Sequence, residues 1–403
     1  MKTISISQNI MQQFADNLNN EEKQFRENIR KIKHPNWKIS RRITKQWITE
    51  YGTYDLNITM YEVKQNGKII RFMYYHNEVM EQICKYKYDY DLMMKLCKKF
   101  LNGEELGTIN GIKISANHIK YWIKRFEVDK DIEARNQELI NQLAETKLND
   151  ENNNFEIDVD DSYSKNNMRH SRNKICMRQA TMHTTTQKKL SKNGVVILLI
   201  NNDKKENVFE LFNKIIQQNI ERFANKNSNV LWKGDGARWI RNSAKALNIQ
   251  YIFDAFHMKF TLKKCLGYTK HSNNPHKKFF NNWVSTTLNA KWYDLFDYIF
   301  DNGNLQNYDD LCNILYSEMD ANTEITDEIK QQINAFLRYI ENNKKGIWDA
   351  NGNRIKCASY TEHFVFSKCK KHIKKAQALY GVDMMKLRIM YGNLKSGYCT
   401  IFY

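Results

Sequence analysis

The sequence predicts an α/β core built on a mixed five-stranded sheet with flanking helices, interrupted by an all-α insertion and preceded by a smaller α+β region. Three observations lead there. Between Val230 and Lys264 two short apolar runs each end on an acid, Asp235 and Asp254, and give way at once to a helical pattern. Upstream, residues 155–161, 175–184 and 194–200 read as consecutive strands, followed by an amphipathic helix over 207–224. Downstream, Trp292, Leu295, Phe296, Ile299 and Phe300, then Ile325, Ile329, Ile333, Leu337 and Ile340, form apolar stripes at helical spacing.

Length and charge bound the function. A chain of 403 residues exceeds one compact core, so two or three domains are expected. The formal charge is +18, with Lys and Arg interleaved among many Tyr, Phe and Trp. That balance favours a polyanion, with phosphates neutralised by the cations and unpaired bases stacked on the rings. A Lys-rich composition inherited from AT-rich coding sequence gives the same charge without a ligand. Eight cysteines without a C-x-x-C pair argue against a zinc ribbon or a disulfide framework and fit a reducing compartment. The first twenty residues lack the apolar core of a signal peptide. The longest apolar run, Val195 to Ile200, is far short of the roughly 20 residues that span a bilayer. A cytoplasmic protein without a membrane partner is the expectation.

In chain order, residues 1–30 read as a charged helical arm with weak apolar periodicity, and 1–85 as that arm plus a small β-containing module. Its hairpin is signalled by Asn66-Gly67 between Tyr54–Val63 and Ile69–Tyr75. Residues 86–128 read as a helix pair. Ser115 caps ANHIKYWIKRF, which carries Ile119, Trp122, Ile123 and Phe126 on one face and His118, Lys120, Lys124 and Arg125 around the other. An apolar side for a partner helix and a basic side for the major groove are what a helix-turn-helix reader needs, and structural bundles use the same pattern. Residues 129–153 read as a polar, helix-prone linker, with a domain boundary near 152. The core then runs from 154 to 260, the helical insertion from 261 to 350, and the last part of the core with a C-terminal tail from 351 to 403.

The acids carry the chemistry. In FEIDVDDSYSK, Phe155, Ile157 and Val159 alternate with Glu156, Asp158 and Asp160, so one strand face is apolar and the other acidic. A right-handed crossover brings the Val230 strand parallel to and beside this one, setting Asp160 next to Asp235. Glu362 starts a last long helix over 361–380, on its apolar, inward face. Three such carboxylates can hold two divalent cations, Mg²⁺ or Mn²⁺, about 4 Å apart for work on a phosphodiester. Each acid also has a simpler role open to it. Asp235 and Asp254 can be N-caps, and Glu362 can close a capping box with Ser359. His257, one turn after Asp254, can orient a metal ligand or touch a phosphate.

At Gly234-Asp235-Gly236-Ala237-Arg238-Trp239-Ile240 and Asp254-Ala255-Phe256-His257-Met258-Lys259 the chain resembles a known family. It is similar to DDE transposases with an RNase H-like core, of the mutator-related bacterial insertion-sequence type and the transposase-like proteins of integrative conjugative elements. The resemblance covers roughly residues 155–393. It implies Asp160, Asp235 and Glu362 as the catalytic, metal-holding acids, with Asp158 or Asp161 as alternatives for the first. It implies Gly234, Gly236, Asp254 and His257 in support, and Arg238, Lys259, Lys370 and Lys371 on DNA; by their own pattern Lys263 and Lys264 can face a phosphate backbone, as can the basic side of the helix at 116–126. The activity implied is metal-dependent DNA cleavage and strand transfer at the ends of a mobile element, by a homodimer or higher oligomer associated with the nucleoid. The alternatives are a transposase-derived protein that binds DNA without cutting it, and an RNase H-like nuclease.

Overall fold

A computed structural model describes residues 5–148, 154–165, 174–186, 189–201, 207–267, 279, 282–356, 360–373 and 381–403. The chain divides into two compact units, Met1–Asp129 and Lys130–Tyr403.

In the first unit, β1 (Lys38–Ile48), β2 (Thr53–Gln65) and β3 (Lys68–Met73) form an antiparallel sheet in that order. Asn66 and Gly67 both have positive φ, 52° and 77°, the backbone of a two-residue hairpin whose twist matches its strands. Helix α1 (Ile6–Gln24) is no free arm, because it lies against β2. Ala15 and Leu18 enter the core with Trp47, Tyr54, Leu56 and Ile58. The Asn19 side chain brackets the β2 backbone, donating to Asp55 O at 2.9 Å and accepting from Asn57 N at 2.7 Å. Small and polar residues make this contact, so its apolar period is faint. Helix α2 (Glu78–Tyr86) follows, then α3 (Tyr90–Asn102) and α4 (Ala116–Arg125). The last two pack through Leu92, Leu96, Cys97, Ile119, Trp122 and Ile123. Their connection, residues 103–115, holds a short two-stranded ladder, Thr108–Ile109 with Ile112–Lys113, and is far longer than the roughly 3–4-residue turn of a helix-turn-helix.

Helix α5 (Val128–Thr146) corrects the expected linker. Ile140 and Leu143 are buried in the core of the second unit, and Asn136 exchanges two hydrogen bonds of 2.8 Å with the backbone of Thr400. The division between units therefore falls near 129, ahead of the expected 152; residues 149–153 themselves lie outside the described residues.

Among the described residues the main sheet of the second unit has six strands, one more than expected. They are β4 (Asn154–Lys165), β5 (Lys174–His183), β6 (Gly194–Asn201), β7 (Asn229–Gly234), β8 (Gln250–Phe253) and β9 (Tyr398–Phe402), in the order β8-β7-β4-β5-β6-β9. Strands β4, β7 and β8 are parallel, β5 is antiparallel to both β4 and β6, and β9 is parallel to β6. The extra strand is the presumed tail, YCTIF, whose backbone pairs at the sheet edge and with Asn136. On one face Phe155, Ile157, Val159, Ala180 and Met182 pack with α5, α6 (Val208–Phe223) and α7 (Arg238–Leu247). On the other, Ile175, Met177, Val196 and Leu198 pack beneath α12 (Thr361–Phe364), its continuation to Ile373 and α13 (Val382–Leu394).

Between β8 and α12 lies the expected helical block. Helices α8 (Ala255–Leu266), α9 (Trp292–Asn302), α10 (Leu305–Ala321) and α11 (Asp327–Ile347) share a second core. Trp292, Phe296, Phe300, Ile325, Ile329, Ile333, Leu337 and Ile340 are all buried in it, as their spacing predicts. The helix expected over 361–380 is α12 followed by a π-helical stretch, Val365–Lys370, and one further turn; its end, with Ser359 before it, lies outside the described residues.

Candidate functional site

Register sets the site. Gly234 of β7 stands opposite Val159 of β4 as the last pair of that ladder, so Asp235, just past the end of β7, and Asp160, still within β4, follow side by side. Between β7 and α7 the chain must turn in very little space. A Cβ on Gly234 would stand 2.8 Å from Ile240 Cγ2. Gly236 has φ +84°, and a Cβ there would meet the Asn343 amide and the Phe253 ring at 2.8 Å. Asp235 Oδ1 accepts from Ala237 N at 2.9 Å and so closes the turn, but the N-cap of α7 is Ala237, with no side-chain cap, so Asp235 is not the helix cap that the sequence allowed. Helix α11 braces the turn from the insertion side, with the Tyr339 hydroxyl donating to Asp235 O at 2.6 Å.

Asp254, at the end of β8, is buried and does two things. It caps α8 by accepting from Phe256 N at 3.0 Å, and its Oδ2 lies 2.7 Å from Nδ1 of His257. The other ring nitrogen of His257, Nε2, is 3.3 Å from Glu362 Oε1. An acid–imidazole–acid chain thus runs from the end of β8 to α12. Burial works against the charged imidazole, but the hydrogen bond and charge of Asp254, with Asp235 and Glu362 beyond, outweigh it and raise its pKa.

Asp160 responds to its surroundings most strongly. Burial first and the Asp235 carboxylate second, with a smaller push from Glu362, raise its pKa to about 7. The Asp161 amide, 2.7 Å from Asp160 Oδ1, and the nearby Lys370 charge pull the other way without cancelling the rise. Asp235 and Glu362 therefore both lie near enough to Asp160 to disfavour its charged form. Glu362 faces this cluster and is 45% exposed, not tucked into the apolar side of its helix.

The neighbouring acids do different work. Asp161 points to the opposite sheet face, where the Arg178 guanidinium grips it with two hydrogen bonds of 3.0 and 3.3 Å and lies 3.7 Å over the Trp239 ring. Its charge is matched there, which removes it as a first ligand of the cluster. Asp158 is buried one residue pair deeper on the Asp160 face. It accepts from Tyr360 N at 3.1 Å and Thr361 Oγ1 at 2.8 Å, and its other oxygen is 2.7 Å from His183 Nε2. Burial pushes its pKa up, and the His183, Lys233 and Thr361 contacts more than reverse that, leaving it lowered. Asp158 therefore ties the first turn of α12 to β4 and holds Glu362 beside Asp160.

Glu156, Asp158 and His183 have ligand atoms all within 4.8 Å of one another and could bind a metal ion. Lys233, fully buried, already places its ammonium 2.7 Å from Glu156 Oε2. Asp160, Asp235 and Glu362 are spread more widely than this group and open toward solvent at Glu362.

Among the expected DNA-binding cations, Lys263, Lys264, Arg238 and Lys371 are exposed and Lys370 borders the cluster. Lys259 is engaged within the fold, 2.7 Å from Asp301 and 3.3 Å from Asp297. In the first unit Lys120 is half-buried, Arg125 is exposed beside Tyr86, and Lys124 pairs with Asp129 at 2.5 Å. The sequence reading missed His183, Lys233, Tyr339 and Asn343. The alternation of Gln179, Thr181 and His183 was a usable sign of a polar face opposite the acids.

No protein-family model matches the chain, and no curated protein does. No described helix is long and apolar enough to cross a membrane, and the described cysteines are free thiols.

Proposed function

We propose that the second unit is an RNase H-like core and that the chain is a DDE-type transposase, cleaving DNA at the ends of a mobile element and joining it to a target. The observation that carries this reading is the meeting of Asp160, Asp235 and Glu362 at one sheet edge, from β4, the end of β7 and α12. The strand arrangement supports it: three antiparallel strands in sequence, then two parallel ones added on the other side of the first. So does the long helical block between the second and third acids.

The donor set fits hard divalent cations, since it is all carboxylate oxygen and the strain on Asp160 comes from negative charge that a cation would neutralise. Asp160, Asp235 and Glu362 would hold Mg²⁺ or Mn²⁺, two ions, which when bound activate an attacking oxygen and stabilise a leaving one. The chain's own contributions are positional. Gly234 and Gly236 let the turn bring Asp235 to Asp160, Asp254 and His257 orient Glu362, and Lys370, near Asp160, would supply a cation for a phosphate oxygen. Exposed Arg238, Lys263, Lys264 and Lys371 supply cations for the backbone. Cutting two element ends calls for at least two copies on DNA.

One observation favours the binding-only alternative: His257 pairs with Glu362, the acid that would complete the metal set. The two readings part in a cleavage assay on labelled duplex carrying the sequences that flank the gene, with Mg²⁺ or Mn²⁺. The transposase reading expects strand cleavage by the wild type and loss of at least a hundredfold, on the order of 3 kcal/mol of barrier, in Asp235→Asn with DNA binding retained. Binding without cleavage by the wild type in either metal selects the alternative.

A further inference from the structure

The surface next to the acids carries a feature that metal chemistry does not use. Phe256 and Phe260 are 57% and 55% exposed, although the opposite side of the same helix, Met258, Leu262, Cys265 and Leu266, is buried. Their rings lie nearly parallel, with centroids 6.1 Å apart and 12° between planes. Phe256 also meets the edge of His257, the residue that touches Glu362. Spacing extends the row: Phe256, Phe260 and Lys264 are four residues apart in turn, with Lys263 beside the last, and both lysines are exposed. One face of α8 thus runs over about 12 Å from two aromatic rings at the acid cluster to two cations away from it. On the other flank, Phe366 is 59% exposed, four residues after Glu362 and four before Lys370.

Exposed phenylalanines lose free energy to water unless something covers them. The occupant that matches flat apolar rings followed by positive charge is a strand with unpaired bases and phosphates. Base pairs inside a duplex keep their faces stacked on each other and have none to offer. We propose that Phe256 and Phe260 form a stacking platform for unpaired DNA nucleotides adjoining the phosphodiester held at Asp160, Asp235 and Glu362, with Lys263 and Lys264 taking the next phosphates. This rests on the transposase reading and adds to it a substrate class: DNA that is single-stranded or frayed beside the site of cleavage.

The test is binding of the full-length protein, in EDTA so that nothing is cut, to a fluorescent oligo(dT) and to a blunt duplex of equal length. The expected result is that Phe256→Ala/Phe260→Ala binds the single strand about tenfold more weakly, the size of one lost stacking contact, and binds the duplex as before. Phe256→Trp/Phe260→Trp restores single-strand binding, and Lys263→Ala/Lys264→Ala weakens both ligands together. Equal single-strand affinity in the Ala variant and the wild type overturns the platform. So does an equal loss on both ligands, or unchanged binding with a lower oligomeric mass, which assigns the pair to a protein interface. If the wild type never cuts yet the single-strand effect of the Phe pair holds, the catalytic reading fails and the platform stands; cleavage with no Phe effect gives the reverse.

Discussion

Asp160 is where the chemistry of the cluster is most exposed to measurement. Its pKa in the fold is about 7, against an ordinary value of 3.8. The folded protein therefore holds a proton between those limits that the unfolded chain has released, and stability falls as pH rises from about 4 to 7, then levels off. Asp160→Asn removes that slope. With EDTA present, the variant is expected to melt above the wild type at pH 8 and to match it more closely at pH 5; parallel curves would show that Asp160 is not strained by its neighbours. Adding Mg²⁺ should raise the wild-type midpoint at pH 8 much more than at pH 5, because the ion competes with the proton for Asp160. At this scale the sequence was informative about which elements meet, since strand alternation and the Gly-Asp-Gly turn bring the acids of the first strand beside Asp235. It could not choose among Asp158, Asp160 and Asp161. That choice depends on Arg178 and His183, which reach these acids across the β4–β5 pairing and not through any local motif.

Among the elements, α12 is the one whose placement decides whether a third acid exists. Only one turn of it precedes a π-helical stretch, so its own backbone gives it little rigidity. Asp158 supplies the anchor through Tyr360 N and Thr361 Oγ1. Thr361→Val removes one of these bonds while keeping the shape, and should cost about 1–2 kcal/mol of stability. Hydrogen exchange should then quicken at the amides of Phe364 to Phe366, with cleavage reduced more than DNA binding. Unchanged exchange there would mean that Asp158 does not position Glu362. The pin was not legible beforehand, because Asp158 and Thr361 are over two hundred residues apart and no spacing rule joins them. Helices α9 and α11 were legible, since long apolar stripes declare their own partners.

For the whole molecule, the division at Asp129/Lys130 makes α5 part of the second unit. A fragment of residues 130–403 should fold and melt cooperatively. One beginning at 154 lacks Ile140 and Leu143 from the core and Asn136 from the β9 backbone, and should aggregate or melt many degrees lower. Equal melting of the two fragments would return α5 to the role of a linker. The sequence assigned it that role because a buried asparagine and a sparse apolar stripe look polar when the partner, the C-terminal strand, is unknown. The claim on which everything rests is that Asp160, Asp235 and Glu362 form a divalent-cation site, and it is most directly tested by counting Mn²⁺ bound per chain by calorimetry or electron paramagnetic resonance. The expected result is up to about two ions per wild-type chain, lost in Asp160→Asn with the fold intact and kept in His183→Gln. Mn²⁺ binding that survives Asp160→Asn and disappears with His183→Gln would place the metal at Glu156, Asp158 and His183 and contradict the account.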